Sequence, residues 1–155
     1  MTKPKQAQVT WADVYSTSKY IADNVVKPDL IIGIASGGII PTAIIARRLN
    51  VFNVQHIGIK SYTEQKTQES IQLYYKPNLS NITADKKILI VDDLLDSGSS
   101  FKYVCNYLMD NGIRSTNIQC AALYYKIKDS DQFIPNNFVQ GTNCPGDVWL
   151  VYPWE

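Results

Sequence analysis

The chain has 155 residues, 45% of them hydrophobic and 19% charged, enough for one ordinary globular domain with its own core. Its formal net charge of +1, with acids and bases scattered along the chain, excludes a basic stripe for nucleic acid and a cationic face for a membrane surface. The expected partners are small molecules.

Cys105, Cys120 and Cys144 are odd in number and far apart, form no CxxC pair, and are accompanied by a single histidine, His56. Neither a disulfide framework nor a structural zinc site is supported, and the cysteines read as small buried hydrophobes. The first residues, MTKPKQAQ, are polar and lack the apolar core of a signal peptide, which points to the cytoplasm.

In chain order, Trp11 to Val26 has helical spacing, with Thr10 as a candidate N-cap and Pro28 as its stop. The apolar run LIIGIASGGIIPTAIIA nearly reaches membrane-spanning length, but Ser36, Gly37, Gly38 and Pro41 interrupt it. A strand over Leu30 to Ala35, a glycine turn and a helix over Ile40 to Leu49 explain it better. A strand over Val54 to Ile59 follows, then a polar segment from Lys60 to Lys76 that reads as a mobile loop returning through a short strand.

Lys87 to Val91 is a further buried strand, Ser99 to Asn111 a helix stopped by Gly112, and Asn117 to Tyr125 another strand. Asp129 to Glu155, rich in Pro, Asn and Gly, is expected to be irregular. The alternation predicts an α/β fold, a mostly parallel twisted sheet flanked by helices on both faces with a small C-terminal hood or flap. We expect one domain over 1–155, with a core of about 10–127 and a hood of about 128–155.

The densest chemistry lies in ILIVDDLLDSGSS, Ile88 to Ser100. In an open parallel sheet the ligand crevice lies outside the carboxyl ends of the strands, where both glycine-containing turns fall. Backbone N–H groups of SGSS at a helix start, with hydroxyls from Ser97, Ser99 and Ser100, suit a phosphate dianion. Carboxylates repel phosphate, so Asp92, Asp93 and Asp96 must accept from sugar hydroxyls, hold a metal ion or take a proton. A sugar phosphate with a free diol and a magnesium ion meets all of these demands. The plainer reading is an acidic loop before an ordinary capped helix.

A P-loop is excluded because GIASGG has no following lysine. A receiver domain shares KILIVDD, but that motif belongs on the first strand, and here two βα units precede it.

ILIVDDLLDSGSS resembles the signature by which type I phosphoribosyltransferases bind phosphoribosyl diphosphate (PRPP). The resemblance extends over nearly the whole chain. ASGGIIP is similar to the family's pyrophosphate-side loop, Ser61 and Tyr62 to the Ser-Tyr pair of its mobile loop, and Lys126 with WLVYPWE to the base-binding end of the short 6-oxopurine enzymes. It implies that Asp92 and Asp93 hold the ribose hydroxyls, that Ser97, Gly98, Ser99 and Ser100 bind the 5′-phosphate, and that Ser36, Gly37 and Gly38 bind pyrophosphate. Asp96 would be the catalytic proton acceptor near N7, and Lys126 would donate to O6, with Lys128 a close competitor. Trp149 would stack on the base, and the backbone at Leu150 would read its C2 edge. Magnesium would lie near Asp93, with Glu155 as a second candidate ligand. Trp11 and Trp154 read as packing residues.

The resemblance further implies PRPP and a purine base as substrates, a homodimer or homotetramer, and a non-proline cis peptide near Ser36 or Gly37. One departure is Ser36, which stands where some bacterial members carry a basic residue. A second reading is a regulator of the same fold that binds PRPP or a nucleotide without catalysis. Asp96 and the mobile loop argue against it, since a sensor needs neither a base nor a lid.

Overall fold

The computed structural model describes residues 2–64, 68–129 and 131–155. Aliphatic runs form the centre. Strands β2 (Leu30–Ala35), β5 (Ile88–Leu95) and β6 (Ile118–Ile127) pair in parallel, with β3 (Val54–Glu64) on the far side of β2 and β7 (Phe138–Pro145) on the far side of β6. Strand β4 (Gln68–Tyr75) closes the edge antiparallel to β3, giving the order β4-β3-β2-β5-β6-β7.

Side chains that alternate along one strand go to opposite faces, and both faces are covered. Ile31, Leu89, Val91, Ala121 and Leu123 meet α1 (Trp11–Asn24) and α2 (Ile39–Leu49) through Val14, Ile21 and Ile45. Leu30, Ile32, Ile88, Ile90, Cys120 and Ala122 meet α3 (Ser99–Asp110) through Phe101, Val104 and Leu108. This double burial explains why the strands read as continuous aliphatic runs.

Helix α1 starts in a reciprocal capping box: the Asp13 N–H donates to Thr10 Oγ1 at 3.1 Å, and the Thr10 N–H donates to Asp13 Oδ2 at 2.9 Å. Helix α2 carries Pro41 in its first turn and ends at Asn50, whose φ of 57° is left-handed.

Three segments differ from the sequence expectation. The polar stretch after Ile59 continues β3 to Glu64 and turns back through an eight-residue β4, so most of the expected loop is a hairpin. Gln65, Lys66 and Thr67, at the centre of that expected loop, lie outside the described residues. The segment expected to be irregular contains β7 and β8 (Val148–Val151), and the polar N-terminus forms β1 (Lys5–Gln8) parallel to β8. Local periodicity could not reveal these strands, because each is fixed by a partner distant in sequence.

Gly38 lies where β2 turns into α2. A Cβ there would stand 2.4 Å from the Val91 carbonyl oxygen and 2.7 Å from that of Ile34, both rigid backbone atoms. Gly38→Ala is expected to cost about 2 kcal/mol by overpacking, and Thr10→Ala about 1 kcal/mol through loss of the cap. Urea unfolding measures both, and an unchanged midpoint for Gly38→Ala would contradict the close approach.

Candidate active site

The strand order reverses between β2 and β5. From β2 the chain crosses through α2 to β3 on one side, and from β5 through α3 to β6 on the other, with the two helices on opposite faces. The loops leaving β2 and β5 therefore diverge and open a crevice at the switch point. The glycine turn 35–38 and the acidic turn 92–98 face each other across it: a Cβ on Gly37 would stand 2.2 Å from Asp93 Oδ2. The Ala35–Ser36 peptide is cis. Ser36 is exposed, and its carbonyl accepts from Ile39 N–H at 3.2 Å.

Asp92 is only 9% exposed within β5, directly after its four aliphatic residues Ile88 to Val91. The Asp93 N–H donates to Asp92 Oδ1 at 2.8 Å. Burial, and then the charge of Asp93, holds the Asp92 carboxyl well above the ordinary carboxylate range. Burial also raises Asp93, against hydrogen bonds from Asp92 and the backbone, and the charge of Glu155 adds a smaller push in the same direction. Two adjacent carboxyls thus stand partly desolvated, an arrangement suited to hydroxyl donors or a hard cation.

The serine turn follows. Gly98, at φ 83°, precedes α3 without a side-chain cap, and Ser97 Oγ lies 2.8 Å from Ser99 Oγ. The Ser97 carbonyl accepts from Phe133 N–H at 2.9 Å, and the Gly98 carbonyl accepts from Lys102 N–H at 2.9 Å, so the loop is braced from behind. A Cβ on Gly98 would collide with the Phe133 carbonyl. Ser99 and Ser100 begin the first turn of α3, where backbone N–H groups have no intrahelical partner.

Asp96 lies between two ammonium groups. Lys126 Nζ is 3.8 Å from Asp96 Oδ2, and Lys128 Nζ forms an ion pair with Asp96 Oδ1. Both lysines reach the same carboxylate: Lys126 is buried near the end of β6, whereas Lys128 reaches in from just beyond it. Gln132 ties this corner together, its amide donating to the Asp96 carbonyl and, at 2.8 Å, to the Lys126 carbonyl, while its Oε1 accepts from Tyr125 OH at 3.2 Å. Sequence reasoning missed Gln132, which belongs to no motif. It also missed Tyr152, whose hydroxyl donates to the Asp93 carbonyl at 3.1 Å; its position inside WLVYPWE was the available signal.

The remaining expected residues are less closely gathered. Ser61 and Tyr62 lie on the β3–β4 hairpin, where the Tyr62 hydroxyl contacts that of Tyr74. Trp149 is 54% exposed on β8, whereas the Leu150 side chain is buried in the core, and both are in register with β1. Trp154 stacks on Tyr152 with ring centroids 4.8 Å apart and also meets Trp11, a packing arrangement that carries Glu155 toward Asp93.

A carboxyl whose pKa is raised on folding favours the folded state while protonated, and that contribution is lost as pH rises through its folded value. Asp92→Asn keeps an acceptor for the Asp93 N–H and removes the charge. It is expected to stabilise the protein by about 1 to 3 kcal/mol at high pH, with the advantage closing as pH falls toward about 4. Thermal melts across pH measure the difference, and a gap independent of pH would mean that the charge of Asp92 is not its cause.

A model of the phosphoribosyl transferase domain matches residues 13–145, which include both loops of the crevice. The xanthine-guanine phosphoribosyltransferase of Idiomarina loihiensis is 24% identical over 153 residues, covering 95% of this chain and 85% of its own. That of Desulfotalea psychrophila is 29% identical over 153 residues, covering 95% and 84%. The crystal structure of a purine phosphoribosyltransferase from Pyrococcus horikoshii matches with a TM-score of 0.75 at 26% identity, over 97% of this chain and 94% of that one. With the domain match spanning most of the sequence and the sheet order and crevice laid out as above, the chain belongs to the phosphoribosyltransferase family and has its type I fold.

Proposed function

We propose that the protein is a purine salvage phosphoribosyltransferase, moving the ribose 5-phosphate of PRPP to N9 of a 6-oxopurine: hypoxanthine, guanine or xanthine. The observation that carries this reading is the Asp96 carboxylate held between Lys126 and Lys128, beside a desolvated carboxyl pair and a serine turn. The similarity to purine and xanthine-guanine enzymes over nearly the full chain supports it.

In this reading the serine turn 97–100 takes the 5′-phosphate, and Asp92 and Asp93 accept from the ribose hydroxyls, which replace the solvent their burial has removed. Ser36 and Gly37 offer backbone donors to the pyrophosphate, whereas the Gly38 N–H already donates to the Ile34 carbonyl at 2.8 Å and Gly38 serves the turn by its lack of a side chain. The base lies over the Asp96 corner, with Lys126 donating to O6, Trp149 against its face and the backbone near Leu150 at its C2 edge. Adenine is rejected because its exocyclic amino group is a donor and cannot accept from Lys126, which would set two donors against each other in a buried corner. As N9 bonds to C1′, the C1′–O bond breaks and its electron pair leaves with pyrophosphate; the N7 proton passes to Asp96, so positive charge does not accumulate on the base. Ser61 and Tyr62, on the β3–β4 hairpin, would cover the reacting centre and exclude water.

Magnesium, when bound, would neutralise charge on the leaving pyrophosphate. Asp93 and Glu155 are the residues that would hold it. Among the described residues no three His, Cys, Asp or Glu side chains gather into a cage. Two carboxyls at most leave the other positions to substrate oxygens and water, which fits an ion that keeps much of its hydration. Tyr15 of α1 with Ala43 and Ile44 of α2, which line one open surface, support assembly as a homodimer or homotetramer. Among the described residues no helix is long and apolar enough to cross a membrane.

The test is pyrophosphate release from PRPP with magnesium and, separately, hypoxanthine, guanine, xanthine, adenine and orotate. Turnover is expected with at least one 6-oxopurine and not with adenine; PRPP binding without turnover on any base would favour a regulator. Chelating magnesium should stop release and restoring it should recover the rate. Asp96→Asn should lower kcat by about 10²- to 10⁴-fold with the fold intact, and a normal rate would sink the proton-acceptor role. Lys126→Ala should raise KM for the 6-oxopurine more than KM for PRPP, whereas an effect on PRPP alone would move this lysine out of the base site.

A further inference from the structure

Behind the serine turn, on the α3 side of the sheet, a cavity of about 210 Å³ is lined by Lys102, Cys105, Asn106, Met109, Cys120 and Phe133, among others. Two of the three cysteines meet there. Cys105, half-buried on α3, and Cys120, fully buried on β6, hold their sulfur atoms 3.7 Å apart. Cys144 is also buried, but in the core cluster of the opposite face. The function proposed above uses neither member of the pair.

We infer that Cys105 and Cys120 form a thiol modification site that takes a small anionic disulfide, such as the oxidised form of a thiol peptide, and is converted by it to an internal disulfide. The cavity supplies an apolar floor in Met109 and Phe133, the cation Lys102 for a carboxylate, and the amides of Asn106 and Asn137. The two sulfurs divide the chemistry. The Cys120 S–H, facing Cys105, favours the Cys105 thiolate and pulls that thiol below its usual range, whereas donation to Cys105, and then burial, pushes Cys120 well above. Cys105 is also the more accessible of the two.

In the first step the Cys105 thiolate attacks one sulfur of the disulfide, forming a mixed disulfide and releasing one thiolate. In the second, Cys120 gives its proton to a leaving thiolate and attacks the Cys105 sulfur, releasing the other half of the reagent. Two protein thiols are oxidised, and one small disulfide is reduced to two thiols. The sulfurs must close by about 1.7 Å to reach bonding distance, a movement that α3 and β6 share.

The test is to incubate the folded protein with oxidised glutathione, quench with acid, and follow intact mass and peptide linkages. The expected course is one glutathione adduct on Cys105, then its loss to a species two hydrogens lighter that links Cys105 to Cys120, with Cys144 still alkylatable after unfolding. Cys120→Ala should accumulate the adduct without resolving it, Cys105→Ser should form neither species, and Cys144→Ser should behave as wild type. The proposal is overturned if wild type keeps three free thiols, if its adduct on Cys105 persists unresolved, or if the internal link involves Cys144. Circular dichroism of each variant checks that it is folded.

Discussion

Everything at the crevice depends on two adjacent carboxyls kept away from water in the C-terminal half of a buried strand. Asp92 and Asp93 stand there because β5 is central to the sheet: Ile88 to Val91 are covered on both faces, so the strand delivers whatever follows Val91 to one fixed place. Burial makes the pair costly while ionised and without partners, and no lysine or arginine ion-pairs with either residue among the described residues. That cost is instead placed where a ligand bearing hydroxyls, or a divalent cation, would relieve it. Gly37 completes the constraint from the opposite wall, since any larger residue would fill the space Asp93 occupies.

The same strand sets the spacing of the second functional unit. Asp96 lies just past the end of β5, and Lys126 near the end of its neighbour β6, so the parallel register of the two strands brings the carboxylate and the ammonium together. Lys128, two residues further along β6's direction, approaches the same carboxylate from the more exposed side. Register positions the side chains but does not lock the loop that carries Asp96. Gln132 supplies that link, with one amide bridging the Asp96 and Lys126 carbonyls and Phe133 bonding to Ser97 immediately after it. The acidic turn and the serine turn are thus held by two successive residues of one otherwise irregular segment.

This division explains what the sequence made legible. The central strands and three helices follow from aliphatic runs, glycine turns and one N-cap threonine, all local signals, and the acidic and serine residues were readable because their chemistry is concentrated in thirteen consecutive positions. Strands β1 and β8 were not readable, since Lys5 to Gln8 is polar and becomes a strand only by pairing with residues at the other end of the chain. Gln132 and Tyr152 were missed for a related reason. Each acts through a hydrogen bond to a backbone carbonyl 36 or 59 residues away, and a carbonyl leaves no mark in a sequence.

The C-terminal residues show how a distant segment acquires a place in the site. Leu150 anchors β8 in the core, and Tyr152 is wedged between Tyr124, Trp154 and the Asp93 carbonyl. Burial and the neighbouring carboxylates keep the Tyr152 phenol from ionising, so its hydroxyl remains a donor to Asp93. A phenylalanine could fill the same volume but could not fix the carbonyl. The position of Asp93 therefore depends on β5, on Gly37 and on a hydroxyl from the end of the chain, three contacts from separate parts of the sequence that together hold one carboxyl at the switch point of the sheet.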